Sequence, residues 1–404
     1  MFCQKIALKR FFMTALAVVM TATLLKADPL SDFLDSRAIN PASTSVLIVD
    51  LASGKTLASH NPAKPLIPAS IMKGVTTATV LEKLGPGFSY STPVYYSGKI
   101  RDGRLRGDIV VKGSGDPSVN SRHMPQSEDF VAEIVDALLE KGVSVIDGSI
   151  VVDESGFSGP AVNPTWAAGD LPHAYGTGSH AFNFSDNAVG KSSVKDPAAV
   201  FRRQLTDRLK EAGISVTGVS DGNIASNQKL LTHSSSSLDE LMRSCMMRSD
   251  NQYAEAFLRL IGLKYGGDGS SASGASKELS IWKDRKASVD SVAIVDGSGL
   301  SRSNRVTARF MGDVLQRLAH NPYYASFFPL AGQEGTLKTF LAGSPLEGYV
   351  ALKTGSMSGI QCYAGYKLDD DYAPTHLVVV MLNNMKDRGA ARREVEKLLL
   401  SLFP

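Results

Sequence analysis

Pro68-Ala69-Ser70-Ile71-Met72-Lys73-Gly74 is the stretch on which the reading of this chain turns. A proline followed by the run from Ile71 to Leu84 predicts a helix that starts at Ser70 and ends near Gly85-Pro86. Ser70 and Lys73 then share a helix face, and the three-residue spacing brings the amine towards the serine oxygen. Free backbone N–H groups at a helix start can also stabilise a developing oxyanion. The pattern S-x-x-K recurs by chance at Ser192–Lys195, Ser226–Lys229 and Ser280–Lys283. The first two lie in loop-like or polar stretches and the third has no proline-led helix start, so context selects Ser70.

Two further segments stand outward from this one. Ser249-Asp250-Asn251 sits between the helical runs Ser237–Arg248 and Tyr253–Leu258, where its side chains either cap backbone groups or face a cleft. A second copy, Ser185-Asp186-Asn187, has Gly176 and Gly178 before it and Gly190 after it, which predicts a surface loop. Lys353-Thr354-Gly355 occurs once. Alone it reads as a strand ending in a turn, and only its partners give it chemical meaning.

A serine hydroxyl is a weak nucleophile without a neighbouring base, and His60 is the only histidine near Ser70 along the chain. Lys73 is therefore the candidate base. A second cation in a confined site disfavours its charge, and Lys353 is that cation, expected to stay charged and to hold a substrate carboxylate together with Thr354. Gly355 keeps the strand edge clear for an extended peptide. The N–H groups of Ser70 and Ser356 form the expected oxyanion hole, Ser249 relays protons to the leaving group, and Asn251 bonds the substrate amide.

Lys5, Lys9 and Arg10 precede an apolar run from Phe11 to Leu25, the pattern of a secretory signal with cleavage expected after Ala27. Removing residues 1–27 takes away four basic residues and no acidic ones, which turns a net charge of +3 into about −1. Nothing in that balance points to nucleic acid, and no second long apolar stretch predicts an integral membrane anchor. Cys245 and Cys362 remain, read as separate buried thiols. No metal or cofactor motif is found.

Strands are predicted over Thr44–Leu51 and Thr56–Ser59, and again over Tyr349–Lys353, Ile360–Lys367 and His376–Asn383, with a helix from Gly389 to Leu402. Strands from both ends of the chain form one antiparallel sheet flanked by helices, an α+β arrangement that brings Ser70 and Lys353 together. The long interval from Pro93 to Thr232 is strand-like and glycine-rich. The expected organisation is a core of residues 28–92 and 233–404, with an inserted β-rich domain over residues 93–232.

Beyond the three motifs the chain carries Gly113-Ser114-Gly115-Asp116-Pro117-Ser118, the run Met247–Glu255, Asp296-Gly297-Ser298-Gly299-Leu300-Ser301-Arg302, Gly335-Thr336-Leu337, and Lys353–Gly359. With these blocks it resembles the penicillin-binding protein 4 type of D-alanyl-D-alanine carboxypeptidase and endopeptidase, the class C low-molecular-mass penicillin-binding proteins, from about Ser45 onward. The resemblance implies the penicillin-recognising serine transferase fold, split by an insertion, in a periplasmic enzyme acting on peptidoglycan stem peptides. Ser70 would be acylated, releasing a terminal D-alanine or cutting a D-Ala-diaminopimelate cross-link, and β-lactams would be covalent inhibitors. Asp153 would reach the amino end of the diaminopimelyl side chain, and Met357 and Ser358 would line the same pocket. One departure stands out. Relatives often carry an arginine shortly after Gly335-Thr336-Leu337, and here Lys338-Thr339-Phe340 follows. A β-lactamase would share the nucleophile but use an E-x-x-L-N water-activating pattern, which is not found between Ser249 and Lys353. A non-catalytic peptidoglycan-binding envelope protein is the other alternative, and the intact motifs argue against it.

Overall fold

A computed structural model describes residues 28–124, 129–218 and 228–404. The signal segment and the Ser226 copy of S-x-x-K lie outside these residues. In chain order the strands that matter are β1 (Thr44–Asp50), β2 (Thr56–His60), β3 (Ser91–Tyr96), β4 (Ile109–Lys112), β5 (Ile150–Asp153), β6 (Gln228–Ser234), β7 (Val350–Met357), β8 (Ile360–Leu368) and β9 (Pro374–Leu382). The helices are α1 (Pro29–Asp35), α2 (Met72–Leu84), α3 (Phe130–Glu140), α4 (Pro197–Glu211), α5 (Leu238–Arg248), α6 (Asn251–Ile261), α7 (Ser271–Asp284), α8 (Ala308–Leu318) and α9 (Arg388–Leu402).

Both ends of the chain meet in one antiparallel sheet of order β7-β8-β9-β1-β2, as the α+β reading predicted. Both faces of this sheet are covered, so β9 reads as an unbroken apolar run, Leu377 to Leu382, instead of an alternating one. The period-2 geometry still sorts the side chains. Val378, Val380 and Leu382 pack with Val395 and Leu398 of α9, whereas Leu377, Val379 and Met381 pack with residues of α2, α5, α6 and α8. Every residue of α6 is buried, charged ones included, which makes it the central helix of the second layer.

A second sheet, β6-β3-β4-β5, forms a third core with α3 and α4, centred on Phe130, Phe182, Phe184 and Phe201. The segment leading away from it is tied to the helical layer. Arg259 of α6 donates to the carbonyls of Ser158, Pro160, Ser179 and Gly269, and Trp166 Nε1 donates to Asp296 at 2.8 Å. Four carbonyls, those of Ser179 and Gly269 buried, satisfy one buried guanidinium, so this seam is specific as well as apolar. The serine run Ser234–Ser237, where the chain returns to the core, is also pinned, because Tyr90 N donates to Ser235 Oγ.

Candidate active site

Ser70 lies in a 3₁₀ turn, Ala69–Ile71, immediately before α2. Two unusual backbone positions hold that turn. Ala69 has φ 47°, a conformation costly for a residue with a Cβ, and Gly299 has φ +80° with its Cα against the Ala69 carbonyl. A Cβ on Gly299 would stand 1.9 Å from that carbonyl oxygen, so only glycine fits. Gly355 closes the other side. A Cβ there would lie 2.5 Å from the Pro68 carbonyl and 3.0 Å from the Ser70 nitrogen. The need for glycine at 355 thus comes from its close approach to the Ser70 turn, a different reason from the peptide clearance predicted.

Lys73 projects from α2 into the centre of the motifs and is fully buried. Its Nζ stands 3.1 Å from Ser70 Oγ, 2.6 Å from Asn251 Oδ1 and 2.7 Å from the Ser298 carbonyl. A neutral amine has two hydrogens and one lone pair. Donating to Asn251 and Ser298 along the two short contacts leaves the lone pair for the Ser70 hydroxyl. Burial lowers the Lys73 pKa from the ordinary lysine value, against the opposing pull of nearby acids including Asp296, Asp250 and Glu255.

Ser249 and Asn251 bracket the junction of α5 and α6. Ser249 is the left-handed cap of α5 with φ 58°, and Asp250 caps α6 by accepting from Tyr253 N. This sharp junction aims Asn251 at Lys73 while its Nδ2 donates to the Tyr175 carbonyl at 2.7 Å. The Ser249 hydroxyl is half-buried and makes no hydrogen bond among the described residues.

On β7, Ala351, Lys353, Gly355 and Met357 face the helical layer, while Leu352, Thr354 and Ser356 face α9. Lys353 is fully buried, and its Nζ donates to the Thr354 carbonyl at 2.9 Å. Burial, and then the nearby Lys73, push its pKa well below the ordinary value. The two amines share one desolvated space and cannot both be charged cheaply. Thr354 Oγ1 donates to Thr336 Oγ1 at 2.7 Å. Val350 and Leu352 bond outward to the 329–331 segment, so alternation turns the N–H of Ser356 to the strand edge beyond it.

The remaining predicted residues are more scattered. Met357 is half-buried, and the exposed Ser358 accepts from Arg302 through its carbonyl. Asp153, at the end of β5, accepts from Ser155 N and lies beside Lys112, and it contacts none of the motif residues among the described residues. Phe340 is buried and stacked on Tyr363, with the Arg392 guanidinium over its ring. A guanidinium therefore does stand at the 338–340 segment, supplied by α9.

Other predictions are corrected or resolved. The second S-D-N copy is not a surface loop: it forms a 3₁₀ turn in which Asp186 and Asn187 are buried, and Asp186 lines the same cleft as Ser249 and Asn251. Ser192 lies on a two-residue strand and Ser280 inside α7, so neither opens a helix. Cys245 and Cys362 are separate buried thiols, each pushed up to about 12 by burial.

Sequence reasoning missed a layer of acids beneath Lys73. Glu255 accepts from the N–H groups of Gly297 and Ser298, and Asp296 accepts from Gly299 N and Ser301 N. Together they set the Ser298 carbonyl that holds Lys73. The signal was present in Asp296-Gly297-Ser298-Gly299, a turn sequence next to an acid with several backbone donors to satisfy.

A family model described as the D-Ala-D-Ala carboxypeptidase 3 (S13) family matches residues 26–193 and 189–401. The chain belongs to that family. It is a serine-type D-Ala-D-Ala carboxypeptidase of the penicillin-binding protein 4 kind. A D-alanyl-D-alanine carboxypeptidase from Actinomadura sp. is 27% identical over 424 residues, covering 82% of this chain and 76% of the relative. The structure of penicillin binding protein 4 from Haemophilus influenzae superposes with a TM-score of 0.81 at 22% identity, covering 93% of this chain and 98% of the other. That protein has also been solved with a β-lactam. A predatory endopeptidase from Bdellovibrio bacteriovorus superposes with a TM-score of 0.60 at 18% identity, covering 89% of this chain and 92% of the other. These superpositions establish the fold. Among the described residues no helix is long and apolar enough to cross a membrane.

Proposed function

We propose that Ser70 is the nucleophile of a periplasmic DD-peptidase acting on peptidoglycan stem peptides both as a carboxypeptidase and as an endopeptidase on D-Ala-diaminopimelate cross-links. The observation that carries this reading is the fully buried Lys73 amine, 3.1 Å from Ser70 Oγ and held by two neutral acceptors. The Ser70 proton passes to Lys73 Nζ as Oγ attacks the carbonyl of the penultimate D-alanine. The oxyanion is held by the N–H groups of Ser70 and Ser356. Ser249 passes a proton to the departing amine, the C–N bond breaks, and water then attacks the acyl ester. Asn251 holds Lys73 as well as the substrate amide, and Thr354, Gly355, Ser356, Met357 and Ser358 form the strand edge along which the peptide lies. The separation of the β6-β3-β4-β5 core supports an inserted β-rich domain over residues 93–232, with Asp153 offered to a diaminopimelyl amine.

Mature protein incubated with a pentapeptide ending in D-Ala-D-Ala should release D-alanine and form a long-lived covalent adduct with penicillin. Ser70→Ala should abolish both. Rapid turnover of penicillin would instead indicate a β-lactamase. Digestion of cross-linked muropeptides, with products weighed by mass spectrometry, separates the two peptidase activities: loss of one alanine marks the carboxypeptidase and halving of dimers the endopeptidase.

A further inference from the structure

Thr354 and Ser356 lie two residues apart on β7, so both side chains stand on the face turned to α9, where Tyr363 and Gln361 are their partners on β8. Arg388 opens α9 and reaches this face, its Nη1 donating to Ser356 Oγ at 2.9 Å. Ser356 Oγ in turn donates to Gln361 Oε1 at 3.2 Å, which fixes the direction of the hydroxyl. The arginine is exposed and meets no carboxylate among the described residues.

Three comparisons set Arg388 apart. Arg392, one turn along the same helix, is neutralised by Glu396 at 3.2 Å and spread over the Phe340 ring. A cation in the first turn of a helix faces the positive end of the macrodipole, so Arg388 sits where a positive charge is unfavourable to the helix itself. The one acid at this helix start, the N-cap Asp387, is turned to Ala390 N and forms no ion pair with Arg388. Lys353, the basic residue of β7 itself, is sealed on the opposite face with its Nζ turned to the Thr354 carbonyl.

We propose that Arg388 is the cation that receives the free carboxylate of the acyl donor, on the face of β7 presented by Thr354 and Ser356. Lys353 is thereby confined to the buried side, next to Lys73. Arg388 keeps its remaining N–H donors for the carboxylate while one is spent on Ser356. The inference rests on the acyl-transfer reading of Ser70.

The test measures acylation of Ser70 in the full mature chain by benzylpenicillin and by its methyl ester, which lacks the carboxylate, followed by intact-protein mass spectrometry. Arg388→Ala should slow acylation by the acid about 10- to 100-fold, the loss of one charge-assisted contact, and leave the ester rate unchanged. Arg388→Lys should recover part of the loss, and a wild-type melting temperature in both variants excludes a folding defect. Equal slowing with acid and ester would mean that Arg388 only holds the strand end, and an unchanged acid rate would remove it from the site. Either result overturns the inference while leaving the nucleophile intact. Failure of the wild type to be acylated by either compound would overturn the reading of Ser70, and this inference with it.

Discussion

Ser249-Asp250-Asn251 and Ser185-Asp186-Asn187 spell the same three residues on two sides of one cleft, yet their surroundings give them opposite parts. Both serines have positive φ, 58° and 50°, but Asp250 accepts from Tyr253 N in its own turn, whereas Asp186 accepts from the Ser121 hydroxyl, distant in sequence. The difference lies in what the asparagine meets. Asn251 turns Oδ1 to the Lys73 amine. Asn187 turns Oδ1 to the Phe184 N–H and donates through Nδ2 to the Gly178 carbonyl and to Asn183 Oδ1. One asparagine closes on a titrating group and the other on backbone and a neutral amide, which never titrate. The tripeptide itself specifies a sharp turn, and the chemistry is conferred by the lysine that only one copy reaches.

Charge on the asparagine position separates the copies most sharply. Asn251→Asp places a carboxylate 2.6 Å from Lys73 Nζ and should raise the lysine pKa by about one to three pH units. Acylation needs the neutral amine, so its rising limb with pH should move up by the same interval and the rate at pH 7 should fall about 10- to 1000-fold. Asn187→Asp should leave the limb in place. Rates of labelling by a fluorescent penicillin between pH 6 and 10 measure both, and an equal displacement in the two variants would erase the distinction.

The serines come next. Ser249→Ala removes the proposed proton relay and should slow acylation on the order of 100-fold. Ser185→Ala alters a hydroxyl with no hydrogen-bond partner among the described residues and should leave the rate unchanged. D-alanine release from a pentapeptide gives the comparison, and a matched loss in both would mean that the second copy also takes part.

A crossed pattern is expected for truncation of the asparagine at 187. Asn187→Ala strips three hydrogen bonds from a buried turn and should cost about 3 kcal/mol, lowering the melting temperature by several degrees. The protein that remains folded should be acylated at the wild-type rate. A normal melting temperature together with lost activity would reverse the assignment.

The comparison also shows what could be read before the fold was known. The S-x-x-K helix start, the terminal strands and the α9 helix were legible because Pro68, the apolar runs at 44–51 and 376–383, and the period of Arg388–Leu402 are local signals. The second S-D-N copy was misread because glycines at 176, 178 and 190 mark turns without saying whether a turn is buried. The acids beneath Lys73 and the tie from Asn251 to the Tyr175 carbonyl depend on contacts between distant parts of the chain, which no window of sequence contains. Arg388 was invisible for the same reason. Its meaning comes from its bond to Ser356, 32 positions earlier.

The two copies differ finally in what lies beneath them, and this predicts the smallest change in rate and a thermal one. Under Lys73 the carboxyl groups of Glu255 and Glu278 are fully enclosed, and burial pushes each up to about 8. Glu278 Oε2 has no hydrogen-bond partner among the described residues, and the hydroxyls of Thr79 and Thr76 that favour the charged form are outweighed by burial. These folded-state values lie above the ordinary value of 4.5, so the native protein holds protons that the unfolded chain releases. Their contribution to stability is fully present below about pH 4.5 and is lost as pH rises through about 8. The melting temperature should therefore fall between pH 5 and pH 8. Glu278→Gln keeps the shape and removes one of the two protons, so the fall should become shallower while acylation at fixed pH stays near the wild-type rate. A slope undiminished in Glu278→Gln would mean that this carboxyl is already charged in the folded protein, and that the floor beneath the working copy is not the neutral one its burial requires.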